Sequence, residues 1–123
     1  MYKRQGYARS ETELRWLLER REGYLYRRAG RSVGYAFVGR EGAGPIAALE
    51  ADELPAELRH VESRAHALGV SRLVLEVPGL NEVAVRHLGA RGFRIDPWIN
   101  LVMSSRPFGQ FDRFIGFSPP IFL

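Results

Sequence analysis

The sequence contains no cysteine in 123 residues. Disulfide staples, thiol nucleophiles and cysteine-ligated metals are therefore excluded, and a cytoplasmic setting is the default expectation. No apolar run approaches the length of a bilayer span, and the start has no signal-peptide pattern, so no membrane partner is expected. Lysine occurs once, at Lys3, against seventeen arginines. There is no G-x-S-x-G elbow, no P-loop and no G-x-G-x-x-G turn. The histidines do not form a metal set either. His60 and His66 are six apart on one expected helix, so they face different ways, and His87 lies on another.

The composition is that of an ordinary globular chain, 46% hydrophobic and 26% charged, long enough for one domain with its own core. Its net charge of +4 is unevenly spread. Residues 1–31 hold nine basic side chains against four acidic ones, and residues 32–123 hold nine against ten. The basic character thus belongs to residues 1–22, an N-terminal tail and helix, and to the hairpin that follows. Residues 23–123 read as the core of the single domain.

Ser10-Glu11-Thr12-Glu13 is a capping box, and the Leu14, Leu17 and Leu18 spacing predicts a helix from about Glu11 to Glu22, ended by Gly23. Tyr24–Ala29 and Val33–Val38 read as a hairpin around Gly30-Arg31. A glycine-rich loop, Gly39–Gly44, then leads to a strand over Ile46–Glu50. Leu58, Val61, Ala65 and Leu68 make the buried stripe of a helix from Pro55 to Leu68, closed by Gly69. Leu73–Val77 is expected as a buried strand, stopped by Pro78-Gly79. Asn81 then caps a helix that stops at Gly92-Phe93, with Leu80 and Val85 at staple positions. Strands are also expected over Arg94–Ser104, where Ile99, Leu101 and Met103 alternate with polar or smaller residues, and over Phe111–Phe117. The fold class is α/β: a mixed, mostly antiparallel sheet with one parallel strand–helix–strand pair, flanked by helices.

Two stretches carry competing chemistry. Val33-Gly34-Tyr35-Ala36-Phe37-Val38 matches the centre of an RNA-recognition strand, in which aromatics stack on bases. It lacks the leading basic residue and the trailing aromatic, and a packed hairpin explains the same letters. Glu50, Asp52, Glu53 and Glu57 cluster where a strand hands over to a helix. Such a place favours anions, so these carboxylates read as helix caps and as competitors for a phosphate.

Asn81-x-x-Ala84 followed by Gly92-Phe93, together with Gly34–Gly39, resembles the GNAT family of acetyl-CoA-dependent N-acetyltransferases. The resemblance runs from Gly23 to the end. The ending, with Met103-Ser104-Ser105, Arg113-Phe114-Ile115 and Ser118–Leu123, is similar to C-terminal halves of bacterial tandem GNAT proteins. It implies a GNAT-like sheet lacking its first strand, with acetyl-CoA in the gap between Ile46–Glu50 and Leu73–Val77. Glu76 and Glu50 are then the candidate catalytic bases, and Asn81 the candidate cofactor contact. Two departures stand against catalysis. Asp52, Glu53 and Leu54 occupy the place of the family's pyrophosphate-loop glycines, and Leu88 stands where a general-acid Tyr is often found. The expectation is an N-acetyltransferase-like protein with an unidentified amine acceptor, or a degenerate one. The alternative is a non-catalytic association module, paired as a homodimer or with a partner GNAT domain; RNA binding is a distant third.

Overall fold

The computed structural model describes residues 11–97, 99, 101, 103, 105–106 and 109–116. The expected N-terminal tail and the chain's last seven residues lie outside them, as does any first strand before the leading helix. The elements are α1 (Glu11–Arg20), β1 (Glu22–Arg28), β2 (Arg31–Gly39), β3 (Gly42–Ala48), a 3-10 turn (Ala51–Glu53), α2 (Leu54–Ala67), α3 (Glu82–Ala90) and β4 (Phe114–Ile115).

The strands lie in the order β1-β2-β3-β4, and every ladder among the described residues is antiparallel. Alternation along the strands sends side chains to two faces. Ala36, Val38, Ile46, Ala48 and Ile115 pack with Leu58, Val61 and Ala65 of α2 and with Ala84 and Leu88 of α3. Tyr35, Phe37, Ala47 and Phe114 pack with Leu17 of α1 on the opposite face. The sheet is therefore covered on both faces, which is why β2 reads as a nearly continuous apolar run. Tyr35 and Phe37 are 3% and 5% exposed, so neither ring is available to stack on a base.

The β1–β2 hairpin forms, but it turns at Ala29 and Gly30, both at positive φ, one residue before the expected Gly30-Arg31, and Arg31 pairs with Arg28. The expected loop Gly39–Gly44 is instead a second hairpin. Gly39 pairs with Gly42 across Arg40-Glu41, so β3 begins four residues earlier than its apolar content suggested. Gly42 and Gly44 sit at φ 147° and 115°, conformations that side chains with a Cβ rarely adopt. Register shifts between Ala36 and Val38, opposite Pro45, which has no ladder donor to offer.

The Asn81–Phe93 unit is close to expectation. Asn81 Oδ1 accepts from the Ala84 amide at 3.2 Å, Gly92 has φ 91°, and the Phe93 amide donates to the Leu88 carbonyl at 3.0 Å. The hydrophobic staple does not form, because Leu80 is 72% exposed and Val85 41%. The expected strand Leu73–Val77 forms no ladder. It meets the sheet through one antiparallel bridge, Glu76 with Gly116, where the Gly116 amide donates to the Glu76 carbonyl at 3.0 Å. Its neighbour is thus the β4 end and not β3. The expected strand Arg94–Ser104 likewise joins no ladder among its described residues, while residues 98, 100, 102 and 104 of that stretch lie outside them.

Candidate functional site

The three site residues expected from sequence occupy three different places. Glu76 lines an open cleft of about 450 Å³ with Trp16, Arg20, Arg21, Glu41 and Val74. Glu50 is exposed beyond the far end of β3 from this cleft, a strand length or about 20 Å away. It stands before the 3-10 turn and makes no side-chain cap. Asn81 is fully buried, and its amide Nδ2 donates to the Phe114 carbonyl at 3.2 Å while Oδ1 caps α3. Both ends of its side chain are committed to the fold. The structure therefore does not bring Glu76, Glu50 and Asn81 to one centre.

The cleft is built around Arg21, which follows α1 and is 7% exposed. Its Nε donates to Glu41 at 3.2 Å and its Nη1 to the Gly44 carbonyl at 2.5 Å, fixing the β2–β3 turn against the helix end. Arg20 lies over the Trp16 ring, 4.3 Å from its centroid. Glu76 lines this cleft, and its carboxylate makes no hydrogen bond or ion pair among the described residues. Among the described residues, no proton-transfer side chain is paired with Glu76.

A second constellation was not anticipated from sequence. Glu22, Tyr24, Tyr26 and Arg28 share one face of β1, and Glu53, Glu57, His60 and Arg64 share one face of α2 and the turn before it. They meet in order. Arg64 donates to both oxygens of Glu22 at 3.0 Å, and Tyr24 O–H donates to the same carboxylate at 2.6 Å. Tyr24 and Tyr26 meet His60 edge-on, and the Tyr26 hydroxyl lies 2.7 Å from His60 Nδ1. Arg28 donates to both oxygens of Glu53 at 2.8 Å. The acidic cluster at the start of α2 is thus not a set of caps. Glu53 is drawn across to β1, and neither Glu50 nor Glu53 makes a side-chain cap.

Glu57 sits beneath this seam. It is 2% exposed, and neither oxygen has a hydrogen-bond partner among the described residues. Burial first, and the nearby Glu53 carboxylate second, push its carboxyl up to about 9, so it is protonated at neutral pH. Burial also raises the Tyr26 phenol, helped by Glu57 and Tyr24. The Arg64 and Tyr24 hydrogen bonds hold the Glu22 carboxyl below its ordinary value. The signal for this seam was present in the sequence as polar residues at period two in the strand and at helical spacing on α2. Neither pattern has an apolar face to announce it.

His60 and His66 lie on α2 and His87 on α3, and among the described residues no group of three or more His, Cys, Asp or Glu could hold a metal ion. His60 belongs to the seam. His87 is held below its ordinary value by burial and then by Arg59 and Arg91. No helix among the described residues is long and apolar enough to cross a membrane. Comparison of the chain with protein-family models, with curated proteins and with solved structures finds no match.

Proposed function

We propose that this chain is a GNAT-like module that does not take up acetyl-CoA and works by association with a second copy of itself. The observation that carries this reading is the position of β4. The resemblance puts the cofactor between Ile46–Glu50 and Leu73–Val77, and the backbone of residues 114–116 runs through that gap. Ile115 pairs with Ile46, Phe114 with Ala47, and Gly116 bridges to Glu76. Phe114 and Ile115 are 1% and 0% exposed.

The residues present do not fit the cofactor elsewhere either. At the start of α2, Asp52 is exposed and Glu53 is paired with Arg28, so carboxylates stand where a pyrophosphate would need bare amides. Leu88 is buried in the core, leaving no general acid at its position. Ile95, Ile99, Leu101 and Met103, beyond α3, are the most exposed large apolar side chains among the described residues. Association accounts for their exposure.

A second reading, an acetyl-CoA-dependent N-acetyltransferase, draws on Glu76. Glu76 lines the cleft with no partner among the described residues, and a carboxylate there would serve as a base for an attacking amine. The mass in solution tests the association reading. Light scattering at micromolar concentration is expected to give about twice the 14.0 kDa chain mass. A well-folded monomer would overturn it.

A further inference from the structure

The sheet order β1-β2-β3-β4 leaves the outer side of β1 facing no strand among the described residues. Gly23 and Leu25 lie opposite Phe37 and Tyr35, so they share the sheet face that α1 covers. That cover thins at the rim. A Cβ on Gly23 would stand 2.8 Å from Leu18 Cδ2, so Leu18 of α1 lies over Gly23, yet Leu18 is 58% exposed and Leu25 52%. Edge strands present backbone donors and acceptors that another strand can pair, and native ones are usually guarded by charge or proline. In β1 the run from Gly23 to Tyr26 has neither. Its charges sit at the ends, Glu22 at one and Arg27 and Arg28 at the other. A strand that joins here must be uncharged at its centre and carry its end charges in the opposite order.

A second β1, run antiparallel, satisfies that requirement. We propose that two copies pair along β1 about a two-fold axis through Leu25, so that their two sheets become one. Leu25 is the midpoint of Glu22–Arg28, so this register pairs all seven residues of each strand. On the α1 face Leu25 meets the partner's Leu25. On the α2 face Tyr24 meets the partner's Tyr26, an aromatic cross-strand pair that an isologous contact makes twice. At the ends Glu22 meets the partner's Arg28. Neither has to release its own partner. Arg64 and Tyr24 hold Glu22, while Arg28 gives Nε and Nη2 to Glu53, which leaves Nη1 for a neighbour. The charges then alternate along the joint as Arg64, Glu22, the partner's Arg28 and the partner's Glu53. Moving the axis by one residue keeps the faces but weakens the fit. Through Tyr24, Leu25 would face the partner's Gly23, and Arg28 would run past the start of the partner strand. Through Tyr26, Leu25 would face the partner's Arg27, and Glu22 would run past its end.

This pairing rests on the association reading and names a surface for it. The chain has no cysteine, so an engineered thiol is the only one present. Leu25→Cys sets two thiols on the axis, where facing Cα atoms of an antiparallel pair lie about 4.5–5.5 Å apart, within disulfide reach. Arg27→Cys lies on the same face of the same strand but faces the partner's Gly23, so its two thiols stand about 14 Å apart along the ladder. Leu80→Cys is an exposed thiol ahead of α3. Under mild oxidation L25C is expected to form a covalent dimer severalfold faster than R27C or L80C. L25R sets two guanidiniums face to face at an exposed position, and like charges directly opposite are unfavourable. It is expected to weaken dimerisation severalfold in light scattering on dilution and to leave the far-UV circular dichroism unchanged. A wild-type dimer in which L25C links no faster than R27C and L80C, or in which L25R dimerises as tightly as the wild type, would overturn the β1 pairing and leave the association reading intact. A wild-type monomer would overturn both.

Discussion

Gly34 and Glu57 share one place in the fold, and each explains the other. A Cβ at Gly34 would stand 1.6 Å from Glu57 Oε1 and 2.5 Å from the Ala47 carbonyl oxygen. The side chain could swing away, but the backbone carbonyl cannot. Gly34→Ala is expected to destabilise the protein by about 3 kcal/mol, the upper range for forced overpacking, read from the urea midpoint. Glu57→Gln is expected to act in the opposite direction at alkaline pH. Its carboxyl titrates near 9 in the folded chain and near 4.5 in the unfolded one, so the folded state holds the extra proton between those values. The stability that this proton contributes is fully present below the unfolded value and lost as pH rises toward 9. The slope is at most about 1.4 kcal/mol per pH unit. Thermal melts from pH 6 to 9 should therefore fall less steeply for E57Q than for the wild type. Both residues were visible in the sequence in part. Glu57 was read only as one of a capping cluster, although its spacing from Leu54, Leu58, Val61 and Ala65 puts it on the buried face of α2. Its contact with Gly34 could not be read, because it depends on how α2 lies over β2.

Among the elements, α3 was the most legible and the strands on either side of it were the least. Asn81, Gly92 and Phe93 fix a helix through local hydrogen bonds that need no distant partner. Ladder pairing is not local, and an apolar run cannot announce which edge it will meet. That is why Leu73–Val77 looked like a strand beside β3, yet β4 takes that neighbour. The same reason applies to β3, whose start was hidden by glycines that resemble a loop in sequence and form a hairpin in space. Asn81 joins the legible and illegible parts, because its amide reaches the Phe114 carbonyl while its oxygen caps α3. Asn81→Ala removes a cap and leaves a buried carbonyl unpaired, at an expected cost of about 2–4 kcal/mol. If this residue is structural, as its hydrogen bonds indicate, the loss should appear as lower stability, measured by urea unfolding, and equally with or without acetyl-CoA.

Among the described residues the chain forms a covered four-stranded antiparallel sheet with α2 and α3 on one face and α1 on the other. The sequence already pointed to mixed helix and sheet in one domain, and to departures at Asp52, Glu53 and Leu88 that weaken cofactor chemistry. What it left hidden was that Phe114 and Ile115 would pair with β3 while Gly116 bridges to Glu76, and that Ile95, Ile99, Leu101 and Met103 would be exposed. The seam between β1 and α2 ties these layers together through paired charges, half-exposed at Glu22–Arg64 and at the Glu53 end, so its contribution should be modest and reduced by salt. The association reading requires that residues 114–116 occupy the place a GNAT-type cofactor would take. Isothermal titration with acetyl-CoA tests it most directly. No saturable heat up to millimolar acetyl-CoA is the result expected, and a saturable isotherm with one site per chain would contradict it.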